Sequence, residues 1–345
     1  MSNLSSVQII LNTRCKKAVK YSYCIEAARE KIIEATRVLL YHIYKERTPK
    51  IDGCYTYDTI PRIVQQDGIK HLLLDFNYFD YLMDFCNYCE NLNINYFNYL
   101  FFKYFFQSNF KKNNLVWAYF SYLQMSKFEP NISNNMVPRV WDCSREMLCF
   151  SIFHETTHIN PYIFEWKKYY TLMKDLMNAF TLLETKESDY VKNVEESHCD
   201  FTAMAIMQFT DIWEATSEHD SNLLYDMCLK TIIALEFFTF ISEIEIDNFV
   251  GFNESAQIIK RLTLMHTFVS AMKCYTEVYD NIDADSKFND NIRLFYDLID
   301  NTSALFGNLS QEIDKFNEMK NLDKKIEDWK NLLDKEDKET WIFVE

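Results

Sequence analysis

Apolar residues recur every three or four positions over most of the chain, which is the spacing of side chains on one face of an α-helix. We predict helices at residues 23–46, 70–125, 163–183, 188–210, 221–247 and 254–280. The run SVQIILNT at residues 5–12 fits a short strand instead. The predicted fold is therefore mainly α, with at most a small β edge.

A break in the helical pattern lies at residues 127–142, where the sequence reads KFEPNISNNMVPRVWD. Its two prolines and its run of asparagines predict an extended segment. Asp142 and Ser144 are suitable N-caps for the next helix, which we expect to end at Asn160. Because the apolar residues of this helix occupy more than one side, we expect a buried central helix.

Composition supports a single helical domain over residues 1–345. Only 4 Gly and 5 Pro occur, so the chain lacks the residues that tight hairpins need. No repeat and no Gly/Ser-rich or Pro-rich linker marks a boundary.

The segment from Leu309 to Lys338 is highly charged and helical in pattern. It predicts either a solvent-exposed helix that packs along one stripe or a coil that binds a partner.

Charge, hydropathy and cysteine content indicate which partners and which cellular location to expect. A formal net charge of −15 without a long basic cluster argues against nucleic-acid binding. The apolar run TIIALEFFTFI at residues 231–241 contains Glu236 and is shorter than the roughly 20 residues that a bilayer span needs, so no membrane association is expected. Ten scattered cysteines and a first segment without a signal-peptide pattern favour a reduced, cytoplasmic location.

The segment CFSIFHETTHINPYI at residues 149–163 carries an HExxH pattern formed by His154, Glu155 and His158. Residues four apart lie on one face of a helix, so both imidazoles can reach one metal ion. A bound zinc ion would lower the pKa of a water molecule, and Glu155 would accept the proton as that water attacks a peptide carbonyl. The pattern therefore predicts Zn²⁺ as the cofactor and Glu155 as the general base.

A catalytic zinc needs a third protein ligand. Residues 194–207 read VEESHCDFTAMAIM, in which Glu196 and Asp200 fall on one otherwise apolar helical face. A carboxylate pair on such a face needs a partner. Glu195 and His198 are alternatives to Glu196, although each points to a different side of the helix.

HETTH followed by a later helix with ExxxD resembles the gluzincin metallopeptidases. The resemblance implies that His154, His158 and Glu196 bind zinc and that Asp200 orients a ligand histidine. It also implies a helical zincin-like domain, with a catalytic core at about residues 128–280. The cytoplasmic character suggests similarity to the Lit-like phage-exclusion peptidases, which cleave a host protein during infection. A specific protein or peptide is then the expected substrate, and the extended segment at 128–141 is a candidate edge for holding it.

Two questions stay open at the level of sequence. Arg261 aligns with Met265 and Phe268 on one helical face, which fits either a donor to the oxyanion or a structural ion pair, and His266 is an alternative donor. The whole site also fits a second class of protein, a noncatalytic interaction protein with a structural or vestigial zinc site, and a third, a zinc hydrolase that acts on something other than protein.

Overall fold

The computed structural model describes residues 49–54, 61–66, 68–128, 137–159, 187–209, 221–244, 255–274 and 276–336, with parts of 34–41. Three strands and nine α-helices lie between residues 49 and 336 in these ranges, and the described residues of 34–41 are helical as well, which confirms the prediction of a mainly α fold. The strands are β1 (Lys50–Cys54), β2 (Arg62–Gln66) and β3 (Ile69–Asp75). The helices are α1 (Phe76–Asn91), α2 (Ile94–Lys111), α3 (Leu115–Phe128), α4 (Val137–Ile159), α5 (Glu187–Phe209), α6 (Ser221–Glu243), α7 (Ser255–Met272), α8 (Ala284–Asn317) and α9 (Leu322–Glu336).

The strands form one small sheet in the order β1-β3-β2, with β1 parallel and β2 antiparallel to β3. The prediction of a helix from residue 70 is wrong over β3, whose leucines at 72, 73 and 74 are all buried. In the sequence an Asp-Gly pair at 67 and 68 stands between β2 and β3, and Gly68 has a φ of +79°. Asp-Gly beside an apolar run is a strong hairpin signal, because such turns need positive φ. The sequence therefore contained a sign of this hairpin that periodicity alone did not detect.

The central helix α4 begins at Val137, several residues before the predicted start at Asp142 or Ser144. Pro138 lies in the first turn, where backbone N–H groups have no partner within the helix, so the N–H that proline lacks costs little. The prediction of an extended segment is wrong at both of its described ends, since α3 runs to Phe128 and α4 starts at Val137. Residues 129–136 lie outside the described part of the chain.

Helix α4 occupies the middle of the molecule, where it packs against α1, α5, α6 and β2. Large rings fill much of the core around it, as in the stacked pair of Tyr104 and Phe238, whose centroids are 4.8 Å apart. The ion pair of Lys103 and Asp84 is buried in this core. The Lys103 ammonium lies 2.5 Å from Asp84, and the two side chains are 1% and 3% exposed.

The charged C-terminal segment belongs to two helices rather than one. Helix α8 begins at Ala284, well before the predicted boundary at 309, and α9 follows a break in which Asn321 has a φ of +60°. Trp329 of α9 is buried against rings of α2 and α3, among them Phe106 and Tyr119, while most of its neighbours in α9 are exposed.

The other predicted helices have mixed outcomes. Those at 188–210 and 221–247 correspond to α5 and α6, whereas the helix predicted to reach residue 280 ends at Met272. The predicted strand at 5–12 and helix at 163–183 lie outside the described residues, as does most of the helix predicted at 23–46. No helix in the described ranges is long and apolar enough to cross a membrane.

Candidate metal centre

Helices α4 and α5 bring together His154, His158 and Glu196. The Nε2 atoms of the two histidines are 3.3 Å apart, and His154 Nε2 lies 3.1 Å from Glu196 Oε2. The distance from His158 Nε2 to Glu196 Oε1 is 3.9 Å. Within the described ranges, this is the one group of three or more His, Cys, Asp or Glu residues whose ligand atoms all lie within 4.8 Å of one another.

These separations fit a tetrahedral zinc site. Zinc–nitrogen and zinc–oxygen bonds of about 2.0–2.1 Å place neighbouring ligands of a tetrahedron about 3.3 Å apart. When both imidazoles are unprotonated at Nε2, these nitrogens and the Glu196 carboxylate face one another with lone pairs, an arrangement that a shared cation makes favourable. The chemistry of the donors and their spacing therefore both fit zinc.

Asp200 lies on the opposite side of the His154 ring from this cluster. Its Oδ1 is 2.9 Å from His154 Nδ1, and both side chains are buried. Because an ionised carboxylate can only accept, Nδ1 donates the hydrogen bond and the Nε2 of a neutral imidazole keeps its lone pair. The bond therefore orients the ring so that Nε2 faces His158 and Glu196, with a lone pair available to a metal once Nε2 has lost its proton.

Arg261 of α7 joins Asp200 to a further acid. Its Nε and Nη2 donate to the two oxygens of Asp200 at 2.9 and 2.8 Å, and its Nη1 donates to Glu236 of α6 at 2.5 Å. The Arg261 residue is only 6% exposed. Of the two interpretations left open by the sequence, this geometry agrees with a buried ion pair. His266, the alternative donor, bonds to Asp285 at 2.8 Å.

The electrostatics of this group are strongly coupled. Burial lowers the pKa of His154, but hydrogen bonds to Asp200 and Glu196 have the larger, opposite effect. The pKa therefore rises from 6.5 to about 9. Burial raises the pKa of Asp200, but Arg261 and His154 outweigh this effect and bring it to about 2. The pKa of Glu196 is likewise lowered, because hydrogen bonding to His154 and the charges of His154 and Arg261 exceed the effect of burial. Both carboxylates are thus held in the ionised form that a metal centre needs.

Glu155 follows His154 on α4 and is partly exposed, unlike the buried His154. Ser151, one turn earlier, forms a 2.7 Å hydrogen bond with the buried Tyr78 of α1. Burial is the main cause of the raised pKa of Tyr78, and the charge of Glu155 adds to it. The phenol therefore lies within electrostatic range of Glu155 and anchors this side of α4.

Most of the site residues predicted from sequence lie together in the structure. His154, His158, Glu196 and Asp200 meet in one place, and Glu155 lies beside them. His198 does not belong to the cluster of ligand atoms, and the side chain of Glu195 lies outside the described part of the structure.

Sequence reasoning missed the part that Glu236 has in this network. Its charge served only as an argument against a membrane span, yet a lone acid in an apolar helical run already indicates a buried partner.

Comparison of the chain with protein-family models, with curated proteins and with solved structures gave no match. The resemblance to gluzincins therefore stays a prediction from the motif.

Proposed function

We propose that this protein is a zinc-dependent metallopeptidase of gluzincin type. His154, His158 and Glu196 bind the metal, Glu155 acts as general base, and Asp200 orients His154. The observation that carries the proposal is the convergence of three residues: the two histidine Nε2 atoms are 3.3 Å apart, and they lie 3.1 and 3.9 Å from the two oxygens of the Glu196 carboxylate. The tetrahedral fit and the adjacent, partly exposed glutamate support this proposal over a chance HExxH pattern.

The division of labour among the residues follows from their positions. Zinc, when bound, supplies Lewis acidity that polarises a carbonyl and makes water a better nucleophile at neutral pH. Glu155 accepts the proton from the attacking water and passes it to the leaving amine. Asp200 keeps the lone pair of His154 directed at the metal, and Arg261 keeps Asp200 ionised.

A catalytic role is favoured over a structural zinc site by the number of ligands. Structural zinc sites are usually closed by four protein ligands, whereas catalytic sites keep one position open. Over the described ranges, three residues converge and no fourth joins them. An open fourth position is what a catalytic site needs and what the alternative, a noncatalytic interaction protein, does not need.

The proposed substrate is a peptide segment of a specific protein. Strand β2 packs against α4 and, among the described strands, pairs only with β3. An extended peptide that added to this edge would have its carbonyls in fixed register beside the HExxH helix. This makes β2 a better candidate for the substrate edge than the segment at 128–141. Action on a host protein during phage infection rests on the resemblance to the phage-exclusion peptidases alone.

A cleavage assay tests the proposal. Zinc-loaded protein is incubated with a mixture of peptides from a bacterial proteome, and new termini are identified by mass spectrometry. Cleavage by the wild type that is lost in Glu155→Gln supports a peptidase. Equal product from both proteins, or no product from either at full zinc occupancy, counts against it.

A further inference from the structure

We propose that Glu236 and Arg261 are positioning residues that set the zinc affinity of the site by controlling Asp200 and Glu196. The inference rests on the proposed zinc site and extends it by one more layer of residues. The chain of contacts runs from Glu236 on α6 through Arg261 on α7 to Asp200 on α5 and His154 on α4. It therefore joins four helices through side chains that are mostly buried.

Asp200 has its hydrogen-bonding capacity largely committed by this arrangement. Its Oδ1 accepts from both His154 Nδ1 and Arg261 Nη2, and its Oδ2 accepts from Arg261 Nε. A carboxylate held by a bidentate guanidinium has little freedom to rotate. The direction of the His154 lone pair therefore depends on where Arg261 is held.

Glu236 determines that position. It accepts from Arg261 Nη1, the nitrogen that Asp200 does not use, so the guanidinium is fixed along two of its edges. Arg261 Nη2 also lies 4.0 Å from Glu196 Oε2, which is one of the proposed zinc-ligating atoms. A cation that moved towards Glu196 would compete with zinc for that carboxylate. Glu236 thus holds Arg261 close enough to orient Asp200 and away from the ligand.

This mechanism makes a specific prediction for Glu236→Gln. The amide keeps the size of the side chain but loses its charge, so Arg261 pairs more strongly with Glu196 and zinc binds less tightly. Residues that contact metal ligands from outside contribute about 10- to 100-fold to metal affinity, and we expect about a tenfold loss for Glu236→Gln. Glu236 touches no proposed ligand directly in the described contacts, so a loss of this kind would have to pass through Arg261.

The control is Asp226→Asn. Asp226 lies on the same helix, α6, and accepts from Lys230 at 2.8 Å and from Asn291 at 2.8 Å. Its change to an amide disrupts a comparable ion pair that does not contact Arg261. Zinc affinity should remain at the wild-type value in this variant, although the protein loses some stability.

The measurement is the zinc dissociation constant, obtained by competition with a chromogenic chelator for wild type, Glu236→Gln, Asp226→Asn, Arg261→Met and the double variant Glu236→Gln with Arg261→Met. We expect a loss for Glu236→Gln that disappears when Arg261 is absent. If Arg261→Met does not fold, Arg261→Lys serves as the background, because a lysine cannot hold both acids in the same geometry.

Three outcomes would overturn the inference. They are an unchanged dissociation constant in Glu236→Gln, an equal loss in Asp226→Asn, and an undiminished effect of Glu236→Gln without Arg261. If the wild type itself bound no zinc, the proposed function would fail together with the inference. If the wild type bound zinc and Glu236→Gln bound it equally well, only the inference would fail.

Discussion

His154 Nδ1 lies 2.9 Å from Asp200 Oδ1, although the two residues are 46 positions apart in the chain. This hydrogen bond links α4 to α5 and presents the other ring nitrogen to His158 and Glu196. The imidazole is thus oriented by the protein before any metal binds, which lowers the cost of assembling the site.

Glu196→Ala should abolish stoichiometric zinc binding, because two histidines alone leave the metal without its carboxylate ligand. The matched control is His198→Ala on the same helix, which removes a good zinc-binding group that lies outside the cluster. Elemental analysis after gel filtration checks both variants. Full zinc content in Glu196→Ala would remove this residue from the site, and loss of zinc in His198→Ala would assign the third ligand to His198.

The proposed ligand residues could be selected from sequence because they form short local patterns. His154 and His158 are four apart on one helix, as are Glu196 and Asp200 on another, and helical geometry places each pair on one face. The meeting of the two helices could not be derived in the same way. It depends on packing between segments separated by residues 160–186, which carry no local signal of that contact.

The errors in predicting the fold from sequence have physical reasons of the same kind. An apolar run such as that in β3 can be a buried strand or part of a buried helix, and only the flanking Asp-Gly pair distinguishes the two. Proline breaks a helix in its interior but is tolerated in the first turn. Because Pro138 lies in the first turn of α4, it does not mark the end of the preceding extended segment as the sequence suggested. The partners of Arg261 come from two other helices, which explains why its role stayed open.

The metal-free protein should lose stability as pH rises from about 6.5 to about 9. The pKa of His154 is raised from 6.5 to about 9 in the fold, so the folded state binds a proton that the unfolded chain releases. This stabilisation is fully present below pH 6.5 and is lost as pH passes through 9. A shift of this size is at most roughly 3 kcal/mol.

Chemical denaturation of chelator-treated protein at pH 6 and pH 9 measures this effect. His154→Gln, which cannot titrate, is the reference for all other groups. The difference between wild type and variant should shrink with rising pH. A difference that grew with pH would show that His154 is buried in its neutral form.

The buried ion pair of Lys103 and Asp84 gives a prediction about stability. Lys103→Met should destabilise the fold by about 3 kcal/mol or more, because it leaves a carboxyl group without its cation in the core. Lys103→Met with Asp84→Leu should recover most of that loss, since no buried charge remains unpaired. Arg293→Met serves as the surface control and should change stability by less than about 0.5 kcal/mol, because its side chain is 80% exposed.

Urea denaturation of the four proteins measures these free energies of unfolding. A double variant as unstable as Lys103→Met would mean that Lys103 stabilises the core through contacts other than the ion pair, such as those with the rings of Tyr81 and Tyr99.

Glu155→Gln separates catalysis from binding most clearly. The amide is nearly isosteric and leaves His154, His158 and Glu196 unchanged, so zinc content and thermal stability should stay close to the wild type. Cleavage should fall by about 10²- to 10⁴-fold, or roughly 3 to 5 kcal/mol at the transition state, because the amide cannot accept a proton from water. Zinc content, the unfolding temperature and the rate on a cleaved peptide are measured on one preparation. In cells, any toxicity or phage protection that depends on proteolysis should disappear with the same substitution. If that phenotype persisted in a variant that still bound zinc, the protein would act by binding its partner, and the peptidase proposal would have to be abandoned.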